Sequence, residues 1–102
     1  MAGIRFEWDE AKNLSNQRKL GVSFEDACEV FRDPLYGSVK DRIQDGEQRR
    51  QTFGEVDGWL LIMVAHTVNE EDGHGAVVEV IRIIPARYAS RKERQRYEDE
   101  NG

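Results

Sequence analysis

The sequence predicts one α+β domain in the order β-α-α-β-β-β-β-α, an antiparallel sheet with helices packed on it. Three observations lead there. Residues 4–8 (Ile4-Arg5-Phe6-Glu7-Trp8) alternate apolar and polar, as a half-buried strand does. Two stretches with helical spacing follow, each behind a capping side chain. The middle of the chain then strings strand-like segments between Asp-Gly pairs. A chain of 102 residues has room for one core, so a single domain is expected over residues 1–102.

Asp9 is the expected N-cap of the first helix, with Ala11 and Leu14 on its buried face and Gly21 as its stop. Ser23 caps a second helix, in which Phe24, Ala27, Val30 and Phe31 recur at helical spacing until Asp33-Pro34 ends it. A strand follows over Val39 to Ile43, then a turn at Asp45-Gly46, then a strand from about Arg49 to Val56. Asp57-Gly58 reads as a two-residue hairpin leading into Trp59–Ala65, which is apolar on both faces and therefore central. Residues 68–75 read as an acidic loop, and Ala76 to Ile84 as a strand closed by Pro85. Ser90-Arg91-Lys92-Glu93 has capping-box spacing for a last helix to about Tyr97, with a frayed tail from about residue 98.

Composition narrows the class. Nine aromatics and a continuous Val/Ile/Leu run argue against disorder despite 34% charged residues. The start lacks the apolar core of a secretory signal, and no apolar run reaches membrane-spanning length. The single cysteine, Cys28, has no internal partner and sits among helical core positions, as a small buried hydrophobe rather than a nucleophile. These features lead us to expect a cytoplasmic protein with no membrane contact. The net charge of −5 opposes general polyanion binding, but it is unevenly placed. Residues 82–97 hold six cations (Arg82, Arg87, Arg91, Lys92, Arg94, Arg96) against Glu93, a local +5 able to meet phosphates.

Four stretches share their content, order and spacing with one family. They are Phe6-Glu7-Trp8-Asp9 with Lys12 and Asn16; Lys19 to Ala27 running on to Phe31-Arg32-Asp33-Pro34; Gly46-Glu47-Gln48-Arg49; and Arg82 to Arg87 followed by Ala89, Glu93-Arg94 and Tyr97. In these the chain resembles the BrnT ribonuclease toxins over residues 4 to 97. The resemblance implies a fold related to the RelE toxins and an endoribonuclease activity. It also implies a cognate antitoxin with a ribbon-helix-helix DNA-binding part, so that operator DNA is reached only through the antitoxin. The chain departs from the pattern at Leu20, at Pro85 and in Val68-Asn69-Glu70-Glu71.

Cutting RNA by attack of a 2′-hydroxyl on its phosphate needs a proton acceptor, a proton donor and positive charge at the pentavalent transition state. His66, where the apolar run turns polar, is a candidate acid or base, or else a satisfied strand-end histidine. Arg82 interrupts Val80-Ile81-Arg82-Ile83-Ile84, so it needs either a phosphate or a buried acid such as Glu47 or Glu79. Arg87 is placed to reach over the sheet. Glu47 and Arg49 flank a hairpin, with Glu47 as base or as a partner that orients an arginine. Lys12, Lys19, Arg91 and Arg94 are candidate phosphate contacts, and Glu93 is the capping-box acid. His74 has no second ligand nearby, so neither a metal nor a cofactor is expected. The alternative reading is a catalytically weak interaction protein that keeps only the antitoxin-binding fold.

Overall fold

Five strands form one sheet in the order β1-β5-β4-β3-β2 in a computed structural model that describes residues 3–73 and 75–101. The strands are β1 (Gly3–Glu7), β2 (Gly37–Gln44), β3 (Glu47–Val56), β4 (Leu60–Gly73) and β5 (Ala76–Tyr88). The helices are α1 (Glu10–Leu20), α2 (Phe24–Cys28) and α3 (Arg91–Asn101), with a 3-10 turn over Glu29–Arg32. The element order is the expected one. The sheet is mixed rather than antiparallel, because β1 runs parallel to β5, with Phe6 opposite Ile81 and Glu7 opposite Arg82. The two helices between β1 and β2 carry the chain across one face and make the parallel pairing possible.

Local chemistry sets the helix ends. The Asp9 carboxylate accepts from the Lys12 amide, and Gly21 closes α1 in the left-handed region at φ +77°. Ser23 caps α2 through the Asp26 amide. Ser90 and Glu93 form the reciprocal capping box of α3, at 2.8 and 3.2 Å. Asp45 and Gly46 both take positive φ, as a two-residue hairpin turn requires.

Several expectations are corrected. The next hairpin spans three residues, since Val56 pairs with Leu60, and Trp59 lies in the turn, 67% exposed. Residues 68–73 are not a loop: they continue β4 against β5 as far as Gly73 opposite Ala76. Pro85 does not end β5, and α3 continues through Asn101 instead of fraying from residue 98. In α1 the buried side chains are Asn13 and Asn16, whereas Leu14 is 52% exposed.

Alternation along the strands sorts the side chains onto two faces. One face carries Phe6, Thr52, Gly54, Val56, Ile62, Val64, His66, Ile83 and Ala86, and α1, α2 and the 3-10 turn cover it. Phe24 and Val30 are fully buried there, each worth about 1.5–3 kcal/mol of transfer free energy. Gly54 permits this contact: a Cβ would lie 2.7 Å from the Val30 carbonyl oxygen. The second face carries Arg82 and Arg87 of β5; Met63, Ala65, Thr67 and Asn69 of β4; and Glu47, Arg49, Gln51 and Phe53 of β3. Helix α3 lies over one end of this second face, held by polar contacts. Its one buried residue, Tyr97, donates to Asp33 at 2.6 Å, and Asp33 also accepts from the Glu55 and Leu35 amides. No helix of the described residues is long and apolar enough to cross a membrane.

Candidate active site

The pairing of β4 with β5 shifts by one residue between Val64 and His66. On one side of the shift Val64 faces Ala86; on the other His66 faces Ile83, so β5 holds the extra residue at Ile84-Pro85. Proline suits this bulge because it brings no backbone N–H to the ladder. The result is an arginine pair. Arg82 faces Thr67 and Arg87 faces Met63, so both lie on the second face, about 13 Å apart along the strand. Between them lies the small Ala65, over which the two side chains are able to converge.

Asn16 of α1 secures the bulge from outside the sheet. Its side-chain oxygen accepts from the Ala86 amide at 3.2 Å, and its nitrogen donates to the Ala86 carbonyl at 2.8 Å and to the Val22 carbonyl at 2.7 Å. Here β1 has ended, so a side-chain amide takes the place of an edge strand.

The two arginines are held differently. The Arg87 guanidinium grips Glu93 with two bonds, 2.7 and 3.0 Å, and also donates to the Tyr88 carbonyl. This bidentate bond lowers the Glu93 carboxyl to about 2 against the opposing effect of burial, and it raises Arg87 in turn. Arg82 is not buried, and it pairs with neither Glu47 nor Glu79. It meets Glu7 of β1 at 3.4 Å, both side chains being half-exposed. Such a surface pair is worth about 0–1 kcal/mol, so Glu7 holds the guanidinium only weakly. Glu47 accepts a bond from Asn69 at 3.3 Å and is otherwise exposed. Arg49, two residues along, makes no ion pair among the described residues.

Beside Arg82 lies the one buried side-chain polar atom that lacks a partner among the described residues, the Thr67 hydroxyl oxygen. A buried hydroxyl without a bond costs about 1–3 kcal/mol.

The expected acid–base position of His66 does not fit its placement. The imidazole is 2% exposed on the helix-covered face, edge-on to Phe31, on the opposite side of the sheet from the arginines. Its Nε2 lies 2.6 Å from the Thr52 hydroxyl, which lies 2.6 Å from Ser38, and its Nδ1 lies 3.4 Å from the Thr67 carbonyl. Burial holds its pKa below the ordinary value; the Thr67 carbonyl opposes this and Arg50 reinforces it. Burial thus favours the neutral ring, which lies between the Thr52 hydroxyl and the Thr67 carbonyl. Cys28, pushed up to about 11 by burial, is no nucleophile at neutral pH.

The other candidates scatter. Lys12 and Lys19 are exposed on α1, on the helix side, where they border a shallow hollow with Leu20 and Ile84. Arg94 donates to the Trp59 carbonyl at 2.7 Å, eight positions from Thr67 in the chain and roughly 25 Å along the strand direction. Arg91 is exposed at the first turn of α3. His74 lies outside the described residues. Sequence reasoning missed Thr67, Gln51 and Glu7, which join the arginine face; Pro85 inside an apolar strand was the available signal for the bulge behind it.

Comparison with known proteins completes the description. The family described as "Ribonuclease toxin, BrnT, of type II toxin-antitoxin system" matches residues 8–93. The crystal structure of the Brucella abortus ribonuclease toxin BrnT is similar, with a TM-score of 0.52 and 27% identity over 89% of this chain and 99% of that one. No curated protein gives a significant match.

Proposed function

The chain belongs to the BrnT family of ribonuclease toxins of type II toxin–antitoxin systems, and from this premise we propose a metal-independent endoribonuclease that works on the open sheet face. The observation that carries the reading is the bulge at Ile84-Pro85, which sets Arg82 and Arg87 on one face above Ala65 and beside the unpartnered Thr67 hydroxyl.

The RNA phosphate sits between Arg82 and Arg87, where two guanidinium groups stabilise the charge that grows at the pentavalent transition state. The grip of Glu93 holds Arg87 in position before substrate arrives. Arg49 adds a third cation from β3. Glu47, exposed on the same face, is the carboxylate placed to take the 2′-hydroxyl proton. His66 acts as a positioning residue through the Thr67 backbone. Attack of the 2′-oxygen breaks the bond to the 5′-oxygen, leaving a 2′,3′-cyclic phosphate and a 5′-hydroxyl. The charge stabilisation is assigned to arginine, whose planar guanidinium meets phosphate oxygens bidentately. Lys12 and Lys19 lie on the helix side of the sheet and Arg91 and Arg94 sit on α3, either side of Glu93; these four guide the flanking strand.

The partner is an antitoxin with a ribbon-helix-helix part that binds operator DNA, and it silences the toxin by covering the arginine face. The interaction-only reading draws on one fact: Arg82 and Arg87 already have acidic partners, Glu7 and Glu93. Incubation of end-labelled single-stranded RNA with purified protein in EDTA separates the two. Cleavage with cyclic phosphate ends is expected; intact RNA after long exposure to folded protein establishes the interaction reading instead.

A further inference from the structure

A cavity of about 370 Å³ lies under α3, between that helix and strands β2 and β3. Its size is in the range of small-molecule sites, about 300–1,000 Å³. Its lining is aromatic and amide-rich. Phe53 supplies a ring from the second face of β3, whereas the Tyr36 ring packs 6.1 Å from Phe31 on the helix-covered side. Gln51 supplies an amide whose nitrogen finds only a distant partner, Asp41 at 3.5 Å. Asn101 uses its nitrogen on the Leu35 and Tyr97 carbonyls, and its side-chain oxygen accepts from nothing among the described residues.

The charged groups that reach the cavity are matched internally. Glu93 is bound by Arg87, and Arg96 meets Glu100 at 3.2 Å. A cavity with compensated charge, a ring face and open amides suits a neutral, planar, polar ligand. It does not suit an ion.

Position supplies the rest. Arg49, Gln51 and Phe53 succeed one another on the same side of β3, about 7 Å apart at each step. Cation, amide and aromatic ring therefore follow in the order in which a nucleotide presents phosphate, base edge and base face.

We propose that this cavity is a nucleobase subsite: it seats one base of single-stranded RNA against Phe53, reads its edge with Gln51, and leaves its phosphate at Arg49. The inference rests on the open face being the ribonuclease site, and it adds a sequence preference to that site.

The test measures binding of uncleavable 2′-O-methyl tetranucleotides of A, C, G and U to the full chain and to two variants. Gln51→Leu keeps the volume and removes the amide. Phe53→Leu removes the ring and keeps an apolar side chain on the same face of β3. The wild type is expected to separate the best from the worst base by about tenfold, as one edge contact allows. Gln51→Leu should bring the four within about twofold of one another, and Phe53→Leu should weaken all four by about tenfold through lost stacking. Equal wild-type binding of the four, no binding at all, or wild-type ranking and affinity in both variants would overturn the subsite. Cleavage of unmodified RNA in EDTA is scored separately. Cutting without any base preference overturns the subsite and spares the ribonuclease reading, while base-selective binding without cutting does the reverse.

Discussion

Arg82 and Arg87 stand five positions apart in β5, yet both face the same side of the sheet, opposite Thr67 and Met63. In a regular strand an odd spacing puts side chains on opposite faces. The extra residue at Ile84-Pro85 cancels that rule, and the Asn16 amide holds the irregular backbone at Ala86.

Asn16→Leu should therefore destabilise the protein by about 3 kcal/mol, since it strands the Ala86 amide, the Ala86 carbonyl and the Val22 carbonyl. Urea denaturation measures this. A loss under about 1 kcal/mol would mean that water replaces the clamp without penalty.

The Thr67 hydroxyl offers a test in which stability and activity part company. It has no partner in the free protein, so Thr67→Val removes an unsatisfied group and should leave stability unchanged or slightly raised. If the hydroxyl bonds the phosphate held by Arg82, RNA cleavage should fall about tenfold or more in the same variant. Unchanged cleavage would remove Thr67 from the site.

Two titrations each predict a loss of stability on acidification, in different pH windows. Glu93 is held at about 2 by Arg87, below its ordinary 4.5, so its contribution to stability is complete above pH 4.5 and disappears as pH falls from there toward 2. The stability difference between wild type and Glu93→Gln should be flat above about pH 5 and shrink on acidification through that window. A difference that stays constant to pH 2 would show that the pair is not the cause.

His66, lowered mainly by burial, binds its proton more readily in the unfolded chain. Stability should decline as pH falls below 6.5, and the pH–rate profile should show no inflection near 6.5 at which imidazole drives catalysis. An inflection there that His66→Asn abolishes would restore the histidine to the chemistry.

Much of the fold was legible because its signals are local. Asp9, Ser23 and Ser90 announced three helix starts, Gly21 one helix end, and Asp45-Gly46 a turn. The parallel placement of β1 was not, since it depends on which strand edge remains open after the chain has crossed the sheet. Nor was the amide core face of α1: Asn13 and Asn16 are polar by type and buried by use, bonding Phe24 and Ala86 backbone groups far off in sequence. The candidate site divided in the same way. Arginine in an apolar strand drew attention to Arg82, but the face that each side chain takes depends on a bulge that only the pairing of β4 with β5 displays. His66 looked accessible because it ends an apolar run, although alternation with Val64 turns it inward.

The central claim is that the face shared by Arg82 and Arg87 cuts RNA, and single-turnover cleavage rates of Arg82→Ala and Arg91→Ala test it most directly. Arg82 lies beside Thr67 on that face, while Arg91 is exposed at the first turn of α3 and pairs with no sheet residue. Both substitutions remove one positive charge from the same net balance, so general attraction to RNA falls equally. Removing one preorganised charge at a transition state costs about 10²–10³ in rate. The account predicts a loss of that size for Arg82→Ala, with its Glu7 partner exposed and the fold retained, and less than about threefold for Arg91→Ala. Equal, small losses in the two folded variants would contradict it.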